Sequence, residues 1–384
     1  MLISDKKIAI IGGGPGGLTL ARLLQLKGAD VKVYERDMNR KVRVQGATLD
    51  LHFDSGLRTI DAAGLMDAFK ATYRPGAEKG RLVDKSGNII FDDHDKTTPA
   101  TDFNSPEARP EIDRSDLRDL LLNSLHPDTV VWDSHFISMS KKGKQWKLEF
   151  KNGTTTVADI IIGADGGNSK IRPCVTSTKA VYAGIYILQG NVDNAAKVAP
   201  AMHELLKGGK LYAHSDEKYL HVSAKGDGSI DFYVSSKRNE NWSVESGIDF
   251  TDKSQVAELF RTEFADWDKI WFELFENYDG ALLIRPQYCI PLDQTWEAQS
   301  NITLLGDAAH IMAPSGEGVN LAMLDAVELS TVLTYGSFND LKEAIAFYEK
   351  NMRERGAAEA ATSAGMIEWM HAEGAQEKMA ELLA

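Results

Sequence analysis

The stretch Lys7-Ile-Ala-Ile-Ile-Gly12-Gly-Gly14-Pro15-Gly-Gly17-Leu-Thr-Leu-Ala-Arg-Leu-Leu24 decides the fold. It reads as an apolar strand, a glycine-packed turn and a helix that opens without a charged residue, the start of a nucleotide-binding βαβ unit. Each glycine has its own task. Gly12 allows the tight strand-to-helix turn, Gly14 lets the backbone come close to a pyrophosphate, and Gly17 lets the helix lie near the strand. The free N–H groups and positive dipole end of that helix then hold the phosphates. Asp30-Val-Lys-Val-Tyr-Glu35 follows as a second strand ending in an acid. Glu35 stands near the roughly 20-residue distance from the first glycine expected of a carboxylate that receives ribose hydroxyls.

Around this unit the composition sets limits. A chain of 384 residues exceeds one ordinary domain, so one large cored domain with an inserted or appended smaller one is expected. A net charge of −13 opposes nucleic-acid binding, which depends on a basic surface that neutralises phosphates. The apolar run near the N-terminus is broken by glycines, and no window offers about 18 uninterrupted apolar residues. A cytoplasmic protein away from membranes is the expectation. Cys174 and Cys289 are far apart and lack neighbours at metal-ligand spacing, so they read as small buried thiols.

Beyond Glu35, Arg43 lies three residues before Gly46 and is a candidate contact for an anionic cofactor. Residues 55–73 carry helical periodicity, residues 79–91 read as a hairpin around Ser86-Gly87-Asn88, and residues 92–110 read as a loop. A helix then begins, with Asp113 or Ser115 as its cap and Arg114 and Arg118 four apart on one face, either solvated or ligand-facing. Residues 129–132, 135–139 and 146–150, with 154–157 after an Asn152-Gly153 turn, read as an antiparallel meander. Residues 158–163 return as a buried strand that ends in a second acid–glycine turn, Asp165-Gly166.

The pattern then changes to longer alternating strands with helices near 199–206 and 255–264, an antiparallel sheet whose largely apolar faces suit a cavity wall as well as a core. Residues 301–305 form an apolar strand running into Gly306-Asp307, and a glycine-rich turn leads into a helix over 321–333. The last segment reads as helical, with Ile345, Tyr348 and Met352 on one core-like stripe and Met366, Trp369 and Met370 on another. The expected fold class is α/β. Its expected division is a discontinuous nucleotide-binding domain over 1–174 and 286–340, a substrate domain over 175–285 and a helical segment over 341–384.

Three motifs stand in order: Gly12-x-Gly14-x-x-Gly17 with Glu35; Asp165-Gly166-x-x-Ser169-x-x-Arg172; and Gly306-Asp307-Ala-Ala-His310 with Pro314 and Gly316-x-Gly318-x-Asn320. This combination resembles the class A flavoprotein monooxygenases of the para-hydroxybenzoate hydroxylase type and spans nearly the whole chain. Val33-Tyr-Glu35-Arg36-Asp, Thr48-Leu-Asp50-Leu-His52, the segments 111–118 and 121–125, and Gly318-Val319-Asn320 are similar to the tetracycline-inactivating members.

The resemblance implies a Rossmann-like FAD-binding domain with a β-sheet substrate-binding domain and a C-terminal helix. It implies FAD and NADPH as cofactors, with O2 and a polycyclic phenol or enol such as tetracycline as substrates, and a monomer. Glu35 and Arg36 would hold the adenosine part, Arg114 and Asp307 the ribityl–pyrophosphate portion, and Asp50 with the 316–319 turn the flavin. Arg43 matches a position that contacts the nicotinamide cofactor or flavin. Pro15, Leu117, Asp165, Pro314, Val319 and Asn320 complete the implied cofactor set. Gln189, Lys210, Tyr212, His221, Ser223 and Pro314 would meet the substrate. Lys210 stands where the relatives carry an arginine, keeping the charge but losing the planar fork. His221 and Ser223 replace a Phe and an Asn, and Asp231 replaces a His. No catalytic side chain is implied, because the cofactor carries the hard chemistry; His310 reads as a structural residue or a base. Other readings are a flavin hydroxylase acting on another aromatic or polyketide substrate, a flavin reductase or dehydrogenase without oxygen insertion, and a non-enzymatic relative of the GDP-dissociation inhibitors, which the Gly306-Asp307 motif opposes.

Overall fold

The five-stranded parallel sheet has the order Ile302–Leu304, Ile160–Gly163, Lys7–Ile11, Asp30–Tyr34, Val130–Val131. Its inner strands read as almost unbroken apolar runs because they are buried on both faces, with Ile8 set between Ile160 and Val31. The computed structural model describes residues 1–42, 47–96 and 101–384.

One strand departs from the sequence reading. Residues 129–132 do not open the meander. Val130–Val131 extends the parallel sheet, where the carbonyls of Thr129 and Val131 accept from Val33 and Glu35. The meander consists of Phe136–Lys142, Gln145–Phe150 and Thr155–Ala158. The periodic segment 55–73 is also less regular than its pattern: a π-turn Phe53–Leu57 and two short helices, Arg58–Ala62 and Met66–Lys70, are separated by Gly64 at φ +68°. Neither cysteine is fully buried: Cys174 is exposed and Cys289 half-buried, and both are free thiols.

The second sheet has seven strands in the order Asp279–Cys289, Val181–Val192, Ile230–Lys237, Lys218–Ala224, Lys210–Ser215, Gly80–Val83, Ile89–Asp92. The early hairpin of residues 80–92 therefore finishes a sheet whose other strands begin only at Val181. Helices Pro200–Leu206, Lys253–Glu263 and Lys269–Asn277 cover one face. There Leu211, Leu220, Val222, Phe232 and Val234 share a core with Phe260, Trp271 and Phe275. The 269–277 helix went unread in the sequence, although Asp268 caps it and Trp271, Leu274 and Phe275 form its buried stripe.

Strand side chains alternate in direction, so the opposite face of this sheet carries the partners of that core. They are Gln189, Lys210, Tyr212, His221, Ser223, Asp231 and Tyr233, brought into two adjacent cross-strand rows by the register Tyr212–His221–Tyr233–Gln189 and Lys210–Ser223–Asp231. This corrects the expectation of an apolar chamber. The apolar face is spent on the helices, and the face left for the site is polar.

Helix Leu341–Met370 runs along the first domain with Ile345, Tyr348 and Met352 buried, and the Tyr348 hydroxyl donates to the Leu304 carbonyl at 2.9 Å. Its end reaches the second sheet, where Met370 is buried and Trp369 stacks on His214. Helix Ala375–Leu383 follows. No described helix is long and apolar enough to cross a membrane.

Candidate active site

At the fingerprint turn, the glycines divide by what surrounds them. A Cβ on Gly12, which sits at φ +110°, would meet the Ala164 carbonyl oxygen at 2.2 Å, and one on Gly17 would meet the Gly12 carbonyl oxygen at 2.2 Å. A Cβ on Gly14 meets nothing within 4 Å. Space therefore opens at Gly14, in front of helix Pro15–Leu26, which has no side-chain cap, no acid in its first turn, and a proline at a position that needs no N–H. A diphosphate fits this cradle. Glu35 is buried beside it, accepting from the Gly13 N–H at 2.6 Å and the Asp37 N–H at 2.9 Å. Those two bonds fix the carboxylate and leave lone pairs for a ribose. Arg36 is exposed next to it.

The second and third motifs are clasped by Arg172. Its guanidinium, 7% exposed, donates to the carbonyls of Asp307 (2.7 Å), Ala308 (2.7 Å) and Gly167 (3.0 Å). The Ser169 hydroxyl accepts from the Ile171 and Arg172 N–H groups. Asp165 gives Oδ2 to the Lys170 and Ile171 N–H groups, while its buried Oδ1 has no partner among the described residues. Asp307 is exposed to solvent and yet closely surrounded by protein. That surrounding raises its carboxyl pKa, against the pull of His310, Arg114 and Arg172. His310 is buried against Asp325: Nε2 lies 2.6 Å from Asp325 Oδ2, which also accepts from the Gly306 N–H at 2.8 Å, and Arg355 pairs with the other Asp325 oxygen.

Asp113 does not cap the helix Arg114–Asn123 with its side chain; it pairs with Arg74 and accepts from the Gly226 N–H. Ser115 is exposed and does not cap it either. The two arginines of this helix part company. Arg118 is buried and paired with Asp37, whereas Arg114 stays exposed, close enough to oppose in part the burial that raises the carboxyl pKa of Asp307 and Asp231. Leu117 lies buried between them.

The third part is the Asp50 ribbon against helix Gly318–Thr334. Strand Leu49–Asp50 pairs antiparallel with Glu111–Ile112. The Asn320 side chain accepts from the His52 N–H and donates to the Asp50 carbonyl, both at 3.0 Å, so it ties the ribbon to the helix. His52 sits between two carboxylates, Nε2 at 2.9 Å from Asp50 and Nδ1 at 3.1 Å from Glu317. The helix has neither a side-chain cap nor an acid in its first turn, and Gly316 precedes it at φ +92°. Its free N–H groups suit a ring edge that gathers negative charge. Gly318 places its Cα hydrogen toward Asp307, with an added Cβ only 3.9 Å from Oδ1. Pro314 and Gly316 are exposed and Val319 half-buried.

Facing the ribbon is the polar sheet face. Lys210 pairs with Glu111, itself 1% exposed, and the neighbouring Asp50 adds to the field. Burial works against the ammonium, but these acids and Tyr212 hold its pKa above the usual lysine range. Burial and Lys210 push His221 down to about 3, so its ring is neutral, 5.1 Å from Tyr212 and 5.9 Å from Tyr233. Gln189 donates to Asp231 Oδ2 at 3.0 Å, and Gln189 Oε1, Asp231 Oδ1 and Ser223 Oγ have no partner among the described residues. Burial raises the Asp231 carboxyl pKa. The far end of this face is covered by the last turn of the long helix, where His371 bonds Ser235 at 2.8 Å and His214 faces the Met370 carbonyl at 3.2 Å.

The structure thus brings Glu35, Asp50, Arg114, Asp307 and the glycines to one side, and Gln189, Lys210, Tyr212, His221 and Ser223 to the other. Arg43 lies outside the described residues. Sequence reasoning passed over Glu111, Tyr233 and the pairing role of His52. For Tyr233 a signal existed, since it is two residues from Asp231 on one strand face; for Glu111 and His52 none did.

A protein-family profile described as "FAD binding domain" matches residues 5–336. The chain belongs to this family of FAD-dependent class A flavin monooxygenases. Among curated relatives, it is 29% identical to "Monooxygenase asqM" of Emericella nidulans over 86% of this chain and 84% of the relative. Among solved structures it is similar to Klebsiella pneumoniae HpxO complexed with FAD and uric acid (22% identity, TM-score 0.75, 98% of this chain and 92% of that one). It is likewise similar to the tetracycline destructase Tet(55) (21% identity, TM-score 0.76, 100% of this chain and 96% of that one). FAD fits the cradle, turn and helix ends that this family member provides.

Proposed function

We propose that this monooxygenase uses NADPH and O2 to hydroxylate a polycyclic phenol or enol, with tetracycline as the first candidate. The observation that supports this reading is the polar, aromatic sheet face. Lys210 offers a fixed cation for a phenolate or enolate oxygen. Tyr212, His221 and Tyr233 offer ring surface, and Gln189, Ser223 and Asp231 offer hydrogen bonds. A long unsubstituted hydrocarbon would leave these groups desolvated without partners, which costs about 1–3 kcal/mol for each.

Glu35, the Gly14 cradle, Arg114 and Asp307 would hold the cofactor, and Asp50 with the N-terminus of helix Gly318–Thr334 would orient its ring. When bound, FAD supplies electron transfer from the nicotinamide and activation of O2. The helix N–H groups would stabilise negative charge gathered on the bound cofactor without having to reorient. Lys210 favours the ionised oxygen that makes the substrate carbon electron-rich. Toward Ser235 the polar sheet face is covered by Met370 and His371, which would limit water at that end.

The test is incubation of tetracycline and simpler fused-ring phenols with the protein, NADPH and air, read by mass spectrometry. A gain of one oxygen is expected. NADPH consumption with no oxygenated product from any such compound would favour a flavin reductase.

A further inference from the structure

We propose that His52 is a positioning residue for the flavin: as an imidazolium clamped between Asp50 and Glu317, it ties residues 50–52 to the mouth of helix Gly318–Thr334. There it cancels carboxylate charge that would otherwise face the ring. The geometry favours the charged form. A neutral imidazole donates from one nitrogen and accepts at the other, yet both His52 nitrogens face carboxylate oxygens, at 2.9 Å and 3.1 Å. Only the doubly protonated ring presents an N–H to both, Nε2 hydrogen-bonding Asp50 and Nδ1 forming an ion pair with Glu317. The ring is enclosed, with its side chain 11% exposed. Burial acts against its charge, but the two carboxylates raise its pKa to about 9.

The groups around it come from several elements. Asp50 belongs to the ribbon and is also under the field of Lys210 from the sheet. Glu317 precedes the helix, Glu359 reaches in from the long C-terminal helix, and Asn320 fixes the His52 backbone. The surroundings are thus richer in carboxylates than in cations. Without His52, Asp50 and Glu317 repel each other and repel the electrons added to a ring held beside them.

This inference rests on flavin binding and not on the substrate reading. The experiment compares the midpoint potential and FAD affinity of the flavin-loaded wild type, His52→Gln and the double variant His52→Gln/Glu317→Gln. For His52→Gln the expected result is a more negative potential and FAD affinity about tenfold weaker, the scale of one lost charge-assisted bond. The double variant, which restores local charge balance, recovers the potential. In the wild type the potential drops further as pH rises through about 9, and His52→Gln lacks that inflection. An unchanged potential and inflection in His52→Gln, or a double variant as low as the single one, overturns the proposal. Failure of the wild type to take up flavin overturns the flavin site and this proposal together, whereas a loaded but unresponsive His52→Gln overturns the proposal alone.

Discussion

Gly12 and Gly14 stand two residues apart and answer to different things, one to the fold and the other to the ligand. Gly12→Ala places a Cβ 2.2 Å from a backbone oxygen at a φ that side chains rarely adopt. The expected loss is about 3 kcal/mol or more, read as a large drop in Tm or as insoluble protein. Gly14→Ala meets only open space. The flavin-free protein should keep its Tm, while FAD affinity falls about tenfold or more by titration, because the added methyl occupies the approach to the diphosphate. Lys210→Met tests the other wall. It strands Glu111, buried and already raised in pKa by burial, as an unpaired acid and costs about 3 kcal/mol. A raised folded pKa gives stability that is present at low pH and lost as pH rises, so urea unfolding should find the variant closer to wild type at about pH 5 than at about pH 8. Glu35 was legible in the sequence because its meaning is local: it ends the strand after the fingerprint helix. Glu111 and His52 were not, because each takes its role from a side chain far along the chain, Lys210 or Glu317.

Among elements, helix Gly318–Thr334 depends on a staple at its first turn. Asn320→Ala removes the partner of the His52 N–H and the Asp50 carbonyl at a fully buried position. A destabilisation of about 2–3 kcal/mol is expected in chemical denaturation, with weaker flavin retention following from the loosened ribbon. Behind the same helix, burial works against charge on His310, but Asp325 outweighs it and raises the pKa. The sign follows: this pair stabilises fully below about pH 6.5 and its contribution fades as pH rises through the higher folded value. His310→Gln should therefore cost more stability at about pH 6 than at about pH 9, measured by denaturant midpoints. The strand–turn–helix that opens the chain was readable because its apolar run and its glycines obey one local rule. Residues 129–132 were misread because a two-residue edge strand takes its identity from the neighbour it pairs with, and Thr-Val-Val-Trp suits a hairpin or a sheet edge equally well.

Over the whole molecule, the candidate site is assembled from two sheets and a C-terminal helix. The helix was visible as apolar stripes, but not the use of its final turn as an end wall, since that depends on where its thirty residues finish. Nor could alternating strands reveal which of their faces the covering helices would claim, and for that reason the polar wall was missed. Trp369→Ala removes the stacking partner of His214 and opens that end. The fold should survive, and a larger fraction of NADPH oxidation should end as hydrogen peroxide, quantified by a peroxidase-coupled assay.

The Arg172 clasp also orders events during synthesis. A ribosome that has delivered the first 300 residues has already made every strand of the seven-stranded sheet and two of the three glycine turns, yet the carbonyls that Arg172 must grasp, at 307 and 308, do not exist. The parallel sheet still lacks its strand at 302–304. Flavin capture is consequently a late step in the protein's birth, and a nascent chain halted before Gly306 should emerge with its seven-stranded sheet formed but colourless.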